Sequence, residues 1–232
     1  RILLTSVFMA TGFLEFRFWS LRGCRQLEAG FFCLCSMSCG DTDQIVVGLT
    51  GGIACGKSEA LAFFEGIGWK TIATDAIAHR ILHENSDVIE ALREKFGDRI
   101  FLVEGTVDKA MLGQLVFSHS SKRKWLEELL HPLIHIDWRR AVKFSEAKCV
   151  IVEVPLLFEN ALQSQFDHVV TVFSNERIQM NRLLERGLDS VEAQNRLSAQ
   201  IPVGEKACRA DFVLFGEGSL DYLRRQVLRS LS

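Results

Sequence analysis

The sequence predicts an α/β fold in which a parallel sheet is covered by helices on both faces. Strand-like runs recur at 45–49, 69–73, 149–152, 169–172 and 211–215, the first of them a short apolar run suited to a buried parallel strand. Helical patterns fill the intervals, and strands alternating with helices imply parallel pairing through crossovers. A glycine-rich turn, Gly51-Gly52-Ile53-Ala54-Cys55-Gly56-Lys57-Ser58, joins the first strand to the first helix.

The 232 residues allow one such domain with a small appendage. A net charge of −2 and a pI near 6.3 give no global basic field for nucleic acid or anionic lipid. No run of about 18 apolar residues free of charge occurs, so no membrane span is expected. Residues 1–43 differ from the rest. They are dense in phenylalanine, yet follow neither the helical nor the strand period. The chain begins with Arg1, and Met9 and Met37 are candidate starts. The stretch reads as an extension or translated upstream sequence with little fixed structure; the alternative is an organelle-targeting segment. Cys24, Cys33, Cys35 and Cys39 lie within it without the paired C-x2-C spacing of a zinc site. With Cys55, Cys149 and Cys208 they read as thiols of a reducing cytoplasm.

The elements follow in order from Gln44. The run 45–49 is the first strand, and residues 58–64 continue the loop as a helix that stops near Gly66 and Gly68. The run 69–73 is a second strand that delivers Thr74 and Asp75 at its carboxyl end. Residues 76–146 are mostly helical. Ile77, Ile81 and Leu82 space one apolar face, and Val88, Ile89, Leu92 and Phe96 another. Asp108 can cap the helix of Met111, Leu112 and Leu115. Trp125, Leu126, Leu129 and Leu130 form a further stripe, with a helix end expected at His131-Pro132. The run 149–152 leads into Glu153, and 169–172 is the next strand. A charged helix covers about 175–187, and Asp189-Ser190-Val191-Glu192 is a capping-box pattern. A strand at 211–215 and a helix at 220–231 close the chain.

The loop carries the chemistry. Its pattern G-x4-G-K-[ST] should arise by chance in roughly one chain of this length per hundred. Here a strand precedes it and a helix follows, as phosphate binding requires. Glycines let several backbone N–H groups point at one phosphate, and the helix N-terminus adds partial positive charge. The expected nucleotide-binding set is Gly51, Gly52, Ala54, Cys55, Gly56, Lys57, Ser58 and Glu59. Lys57 is placed to reach the β- and γ-phosphates, and Ser58 to offer its hydroxyl to Mg²⁺. Glu153, after an apolar strand, is the second candidate for Mg²⁺. Asp75 is a candidate base, with helix capping as the other reading. Arg182 and Arg186 lie four apart on one helix face, where they could neutralise phosphate charge or be solvated beside Glu176 and Glu185. His79 and His83 share a helix face but lack a further metal ligand.

No Asn-Lys-x-Asp element of a GTPase is present. A short chain with a helical insertion and an arginine-bearing segment suits a small-molecule kinase. Gly48-Leu49-Thr50-Gly51-Gly52-Ile53-x-x-Gly56-Lys57-Ser58 is followed by Asp75-x-Ile77-Ala78-His79, then Leu112-Gly113-x-x-Val116-Phe117 and Leu129-Leu130-His131-Pro132-Leu133-Ile134. Val154-Pro155-Leu156-Leu157-Phe158-Glu159 comes next, then Arg182-Leu183-x-x-Arg186, Gln200 and Ala210-Asp211-Phe212-Val213. In order and spacing, over about 45–230, this series resembles the dephospho-CoA kinase family.

The resemblance implies a P-loop NTPase-type doubly wound sheet with a helical substrate-binding insertion at about 80–145 and a helical lid at about 180–205. It implies transfer of the ATP γ-phosphoryl group to the 3′-hydroxyl of dephospho-CoA, with Mg²⁺, in the cytoplasm, by a monomer or weak oligomer. Asp75 becomes the base, Lys57 the phosphate clamp, and Arg182 and Arg186 lid residues. Another small-molecule or nucleotide kinase, or a non-catalytic ATP-binding module, is the alternative on the same scaffold. Several positions depart from the family pattern. Thr74 stands within a usual Asp-Ala-Asp, and Glu59 follows the loop where Thr or Ser is usual. Lys109 replaces Arg and Glu153 replaces Asp. Gly216-Glu217-Gly218 stands in place of an Asn-Gly turn.

Overall fold

Five strands form one parallel sheet: β1 (Ile45–Gly51), β2 (Lys70–Ala73), β3 (Cys149–Glu153), β4 (His168–Phe173) and β5 (Phe212–Phe215), in the order β2-β3-β1-β4-β5. The computed structural model describes residues 44–117 and 119–229. The expectations for residues 1–43, and the end of the last predicted helix, lie outside them.

Side chains along the three central strands, β3, β1 and β4, alternate between two cores, which is why those runs are largely apolar. Val47, Leu49, Ile151, Val170 and Val172 face one side, where they pack with Phe64 of α1 (Lys57–Gly66) and Leu223 and Val227 of α9 (Leu220–Arg229). Val150, Val152 and Val169 face the other, against Trp138, Leu157, Phe158 and Phe166. Gly48 sits mid-strand because a Cβ there would lie 2.8 Å from Leu157 and 2.9 Å from Phe166.

Between β2 and β3 run α2 (Thr74–Glu84), α3 (Ser86–Phe96), α4 (Lys109–Phe117) and α5 (Ser120–Lys143). They enclose their own core of Ile81, Leu82, Val88, Leu92, Phe96, Ile100, Leu112 and Leu130. Asp108 caps α4 as its sequence suggests, accepting from Ala110 N at 2.9 Å and Met111 N at 3.1 Å. One expectation fails: no helix ends at His131-Pro132. α5 runs through Pro132 for 24 residues. Proline forfeits one backbone hydrogen bond, but ending the helix there would withdraw Ile134 and Trp138 from the buried clusters they join. Packing outweighs the local break.

After β4 come α6 (Glu176–Glu185), α7 (Ser190–Ser198) and α8 (Val203–Arg209). Asp189 caps α7 by accepting from Glu192 N at 2.8 Å. The reciprocal half of the capping box is not used, since the Glu192 carboxylate pairs with Arg196 at 2.6 Å. A buried ion pair ties α8 to the chain after β3. The Lys206 side chain is wholly buried, with Nζ 2.8 Å from Glu159 Oε1 and 3.0 Å from the Pro155 carbonyl oxygen. Removing one partner leaves the other charge buried without compensation. The Glu159→Ala variant is therefore expected to lose about 3 kcal/mol of stability, measured by urea unfolding; an unchanged midpoint would contradict this account.

Candidate active site

The loop leaves β1 at its carboxyl end and enters α1. Ala54 takes a left-handed conformation with φ 59°, and Gly56 has φ 96°. Side chains are excluded beneath the loop. A Cβ on Gly52 would lie 2.5 Å from Gln179 Nε2 and 3.0 Å from Cys55 Sγ. Cys55 points inward, fully buried, with Gln179 Nε2 at 3.0 Å from its sulfur. Burial pushes its thiol pKa up, so it acts as packing rather than as a nucleophile.

Lys57 folds back over the loop. Its Nζ donates to the Gly52 carbonyl oxygen at 2.9 Å and lies 3.5 Å from that of Gly51. Burial lowers its pKa, against the raising influence of Cys55, Glu153 and Asp75. No ion pair of Lys57 is present among the described residues. Ser58, in the first turn of α1, is exposed, and Glu59 beside it is half-buried.

Strand register brings the acids together. Glu153 pairs with Leu49 on one side and with Ala73 on the other. The Thr74 hydroxyl donates to the Glu153 carbonyl oxygen at 2.9 Å, which fixes the start of α2 against the end of β3. Thr74 therefore has a structural task where the family often has Ala. Glu153 is buried, and burial raises its pKa. Lys57 opposes that shift, while Asp75 and Glu59 add to it. Asp75 lies in the first turn of α2, exposed. Ala73 is the N-cap and α2 has no side-chain cap, so the structure contradicts the reading of Asp75 as a helix cap.

Arg182 and Arg186 part company. Arg182 donates from Nη1 to the Ala54 carbonyl oxygen at 2.9 Å and from Nη2 to that of Gly216 at 2.7 Å. Arg186 is exposed just past α6. Both line a cavity of about 210 Å³ with Ala54, Gly56, Glu59 and Gly218. Sequence reasoning missed Ser174, Gln179 and Lys206, which support the loop or its surroundings from distant elements. It picked out Gln200 without a task; Gln200 Oε1 accepts from Ile53 N–H at 3.1 Å.

The donor set suits a hard divalent ion. No group of three or more His, Cys, Asp or Glu among the described residues could hold a metal by itself. One hydroxyl and one carboxylate, Ser58 and Glu153, fit a Mg²⁺ that completes its shell with phosphate oxygens and water.

A sequence model of dephospho-CoA kinase matches residues 45–221. The chain belongs to the dephospho-CoA kinase family. It is 40% identical over 185 residues to the dephospho-CoA kinase of Arabidopsis thaliana, across 78% of this chain and 80% of that one. The Geobacillus kaustophilus dephospho-CoA kinase is 37% identical, over 81% of this chain and 95% of its own. Among solved structures, TT1252 from Thermus thermophilus has a TM-score of 0.69 at 33% identity, covering 82% of this chain and all of that one. Dephospho-CoA kinase from Campylobacter jejuni has a TM-score of 0.56 at 28% identity, covering 80% and 95%. This family member thus has the fold its sequence predicts, a P-loop-type parallel sheet with helices on both faces. Among the described residues no helix is long and apolar enough to cross a membrane.

The close packing under Gly52 yields a test. Gly52→Ala must push the Gln179 amide off Cys55 and the Ser174 carbonyl, loosening the support under the loop, and nucleotide affinity is expected to fall roughly tenfold. Calorimetric titration with ADP measures this; wild-type affinity would show that the loop tolerates the methyl group.

Proposed function

We propose that this dephospho-CoA kinase family member transfers the γ-phosphoryl group of ATP to the 3′-hydroxyl of dephospho-CoA, giving CoA and ADP. Family membership supports the reaction, and one observation carries the assignment of roles. Asp75 stands exposed on α2, held beside the buried Glu153 by the Thr74 hydroxyl, at the carboxyl ends of the strands where Lys57 also lies and feels both acids.

In this reading the backbone N–H groups of the loop and the Lys57 ammonium hold the β- and γ-phosphates. The acceptor 3′-oxygen attacks the γ-phosphorus as the bond to the β,γ-bridging oxygen breaks, and ADP leaves. Asp75 accepts the proton of the attacking hydroxyl. An ordinary carboxylate suffices, because the transition state is loose and needs positioning more than a strong base. Ser58 and Glu153 would hold Mg²⁺, which when bound supplies charge neutralisation across the phosphates. Arg186, exposed at the cavity rim, is suited to meet phosphate charge as the lid residue of the segment at about 180–205. Arg182 holds the loop. The helices at about 80–145 are assigned the acceptor. A cytoplasmic setting is part of this reading.

Incubation with Mg-ATP and dephospho-CoA is expected to yield CoA by mass spectrometry. Asp75→Asn should keep ADP affinity and lose turnover by about a hundredfold or more. A folded, ATP-binding protein that makes no CoA would sink the assignment, and undiminished turnover in Asp75→Asn would remove the base.

The buried charges also predict a pH profile. Glu153 must be ionised to hold the metal, and its pKa is raised by burial. Lys57 must be protonated to hold phosphate, and its pKa is lowered by burial. Since kcat/KM reports the free enzyme, its acid limb should lie above the ordinary glutamate range and its basic limb below the ordinary lysine range. Glu153→Gln should remove this raised limb and leave only the one that the base, Asp75, sets; an acid limb unmoved from wild type belongs to a group other than Glu153.

A further inference from the structure

The Lys57 ammonium is held by carbonyl oxygens, and those oxygens must themselves be held. The Gly52 carbonyl accepts from Lys57 Nζ at 2.9 Å and from Cys55 N–H at 3.4 Å. The same peptide unit carries the Ile53 N–H on its opposite edge, and that group donates to Gln200 Oε1 at 3.1 Å. A peptide that follows glycine rotates readily, because no Cβ resists the change in ψ. Rotation would carry the carbonyl away from Lys57 and the N–H away from Gln200 together. An acceptor placed on the N–H therefore fixes the carbonyl.

Gln200 is itself fixed. Its neighbour Ile201 donates its N–H to Glu159 Oε1 at 3.0 Å. That oxygen also takes the wholly buried Lys206 ammonium at 2.8 Å. Lys206 reaches on to the Pro155 carbonyl at 3.0 Å, and the Thr50 hydroxyl donates to the same carbonyl at 3.2 Å. A charged strut thus runs from β1 and the segment after β3 to the residue beside Gln200. The adjoining loop residue, Ala54, is held by Arg182 and packs with Leu183 and Ala193 of α6 and α7.

We propose that Gln200 is a positioning residue for phosphoryl transfer: by accepting the Ile53 N–H it orients the Gly52–Ile53 peptide and so sets where the Lys57 ammonium lies. Gln200 acts through Lys57. The proposal rests on the reading of Lys57 as the phosphate clamp.

Two variants separate the acceptor from the bulk of the side chain. Gln200→Met keeps the length and removes the acceptor; Gln200→Glu keeps an acceptor. Melting temperatures confirm that both are folded. In the free protein, Ile53 amide exchange measured by NMR should be about tenfold faster in Gln200→Met and within about threefold of wild type in Gln200→Glu. The Lys57 ¹⁵Nζ resonance should shift in Gln200→Met and remain near its wild-type position in Gln200→Glu. With ATP and dephospho-CoA, kcat should fall about tenfold in Gln200→Met, with KM little changed, and Gln200→Glu should recover most of it. Wild-type Ile53 exchange, an unmoved Lys57 resonance or wild-type kcat in Gln200→Met would each overturn the proposal. Equal losses in both variants would do so too. A wild-type protein that makes no CoA would defeat the assigned reaction, while Ile53 exchange and the Lys57 resonance would still decide the positioning role.

Discussion

A phosphate loop built largely from glycine and small residues has few side chains with which to hold its own shape. Its conformation is imposed from outside. Ala54 takes a left-handed conformation, a strain of about 1–2 kcal/mol for a residue with a Cβ. Its carbonyl is held by Arg182, which also grips Gly216. Gln179 fills the space beneath Gly52. The supports come from α6 and the turn after β5, more than 120 positions away in the chain.

The same assembly brings charge into a place that disfavours it. Lys57 and Glu153 are both pushed toward their neutral forms by burial, and each relieves the other. Their attraction falls short of an ion pair, because Lys57 spends its short hydrogen bond on the Gly52 carbonyl. Neither charge is used up in an ion pair with the other, which in the proposed reaction leaves the ammonium for phosphate and the carboxylate for the divalent ion. Glu59 adds a further acid at the rim. That is the clearest departure from the family pattern, and its position in the first turn of α1 gives it a favourable helix-end interaction.

The helices between β2 and β3 have a core of their own, yet they are not an independent body. Ile77 and Ile134 pack against both that core and the core under the sheet. α5 carries this link by running unbroken through Pro132. The N-terminal end of α2, which carries Asp75, is thereby referenced to the sheet as well as to the insertion.

Sheet, loop and order of elements are legible in the sequence because they depend on local period and turn chemistry. Five short runs rich in β-branched and aromatic residues read as strands, and the glycines from Gly51 to Gly56 read as a tight turn before a helix. Gly, Lys and Ser at fixed spacing declare a phosphate site in the same way. What sequence could not fix is what distant residues do to one another. Arg182 looks like a solvated helix residue until the fold places it under the loop. Gln200 looks like a loop amide until it meets the Ile53 N–H, 147 positions earlier in the chain. His131-Pro132 reads as a helix end, but packing of Ile134 and Trp138 beyond it overrides it. The sequence by itself determined which backbone can bind phosphate. Only the tertiary structure decided which side chains hold that backbone in place, because those contacts join residues whose separation leaves no periodic or local trace.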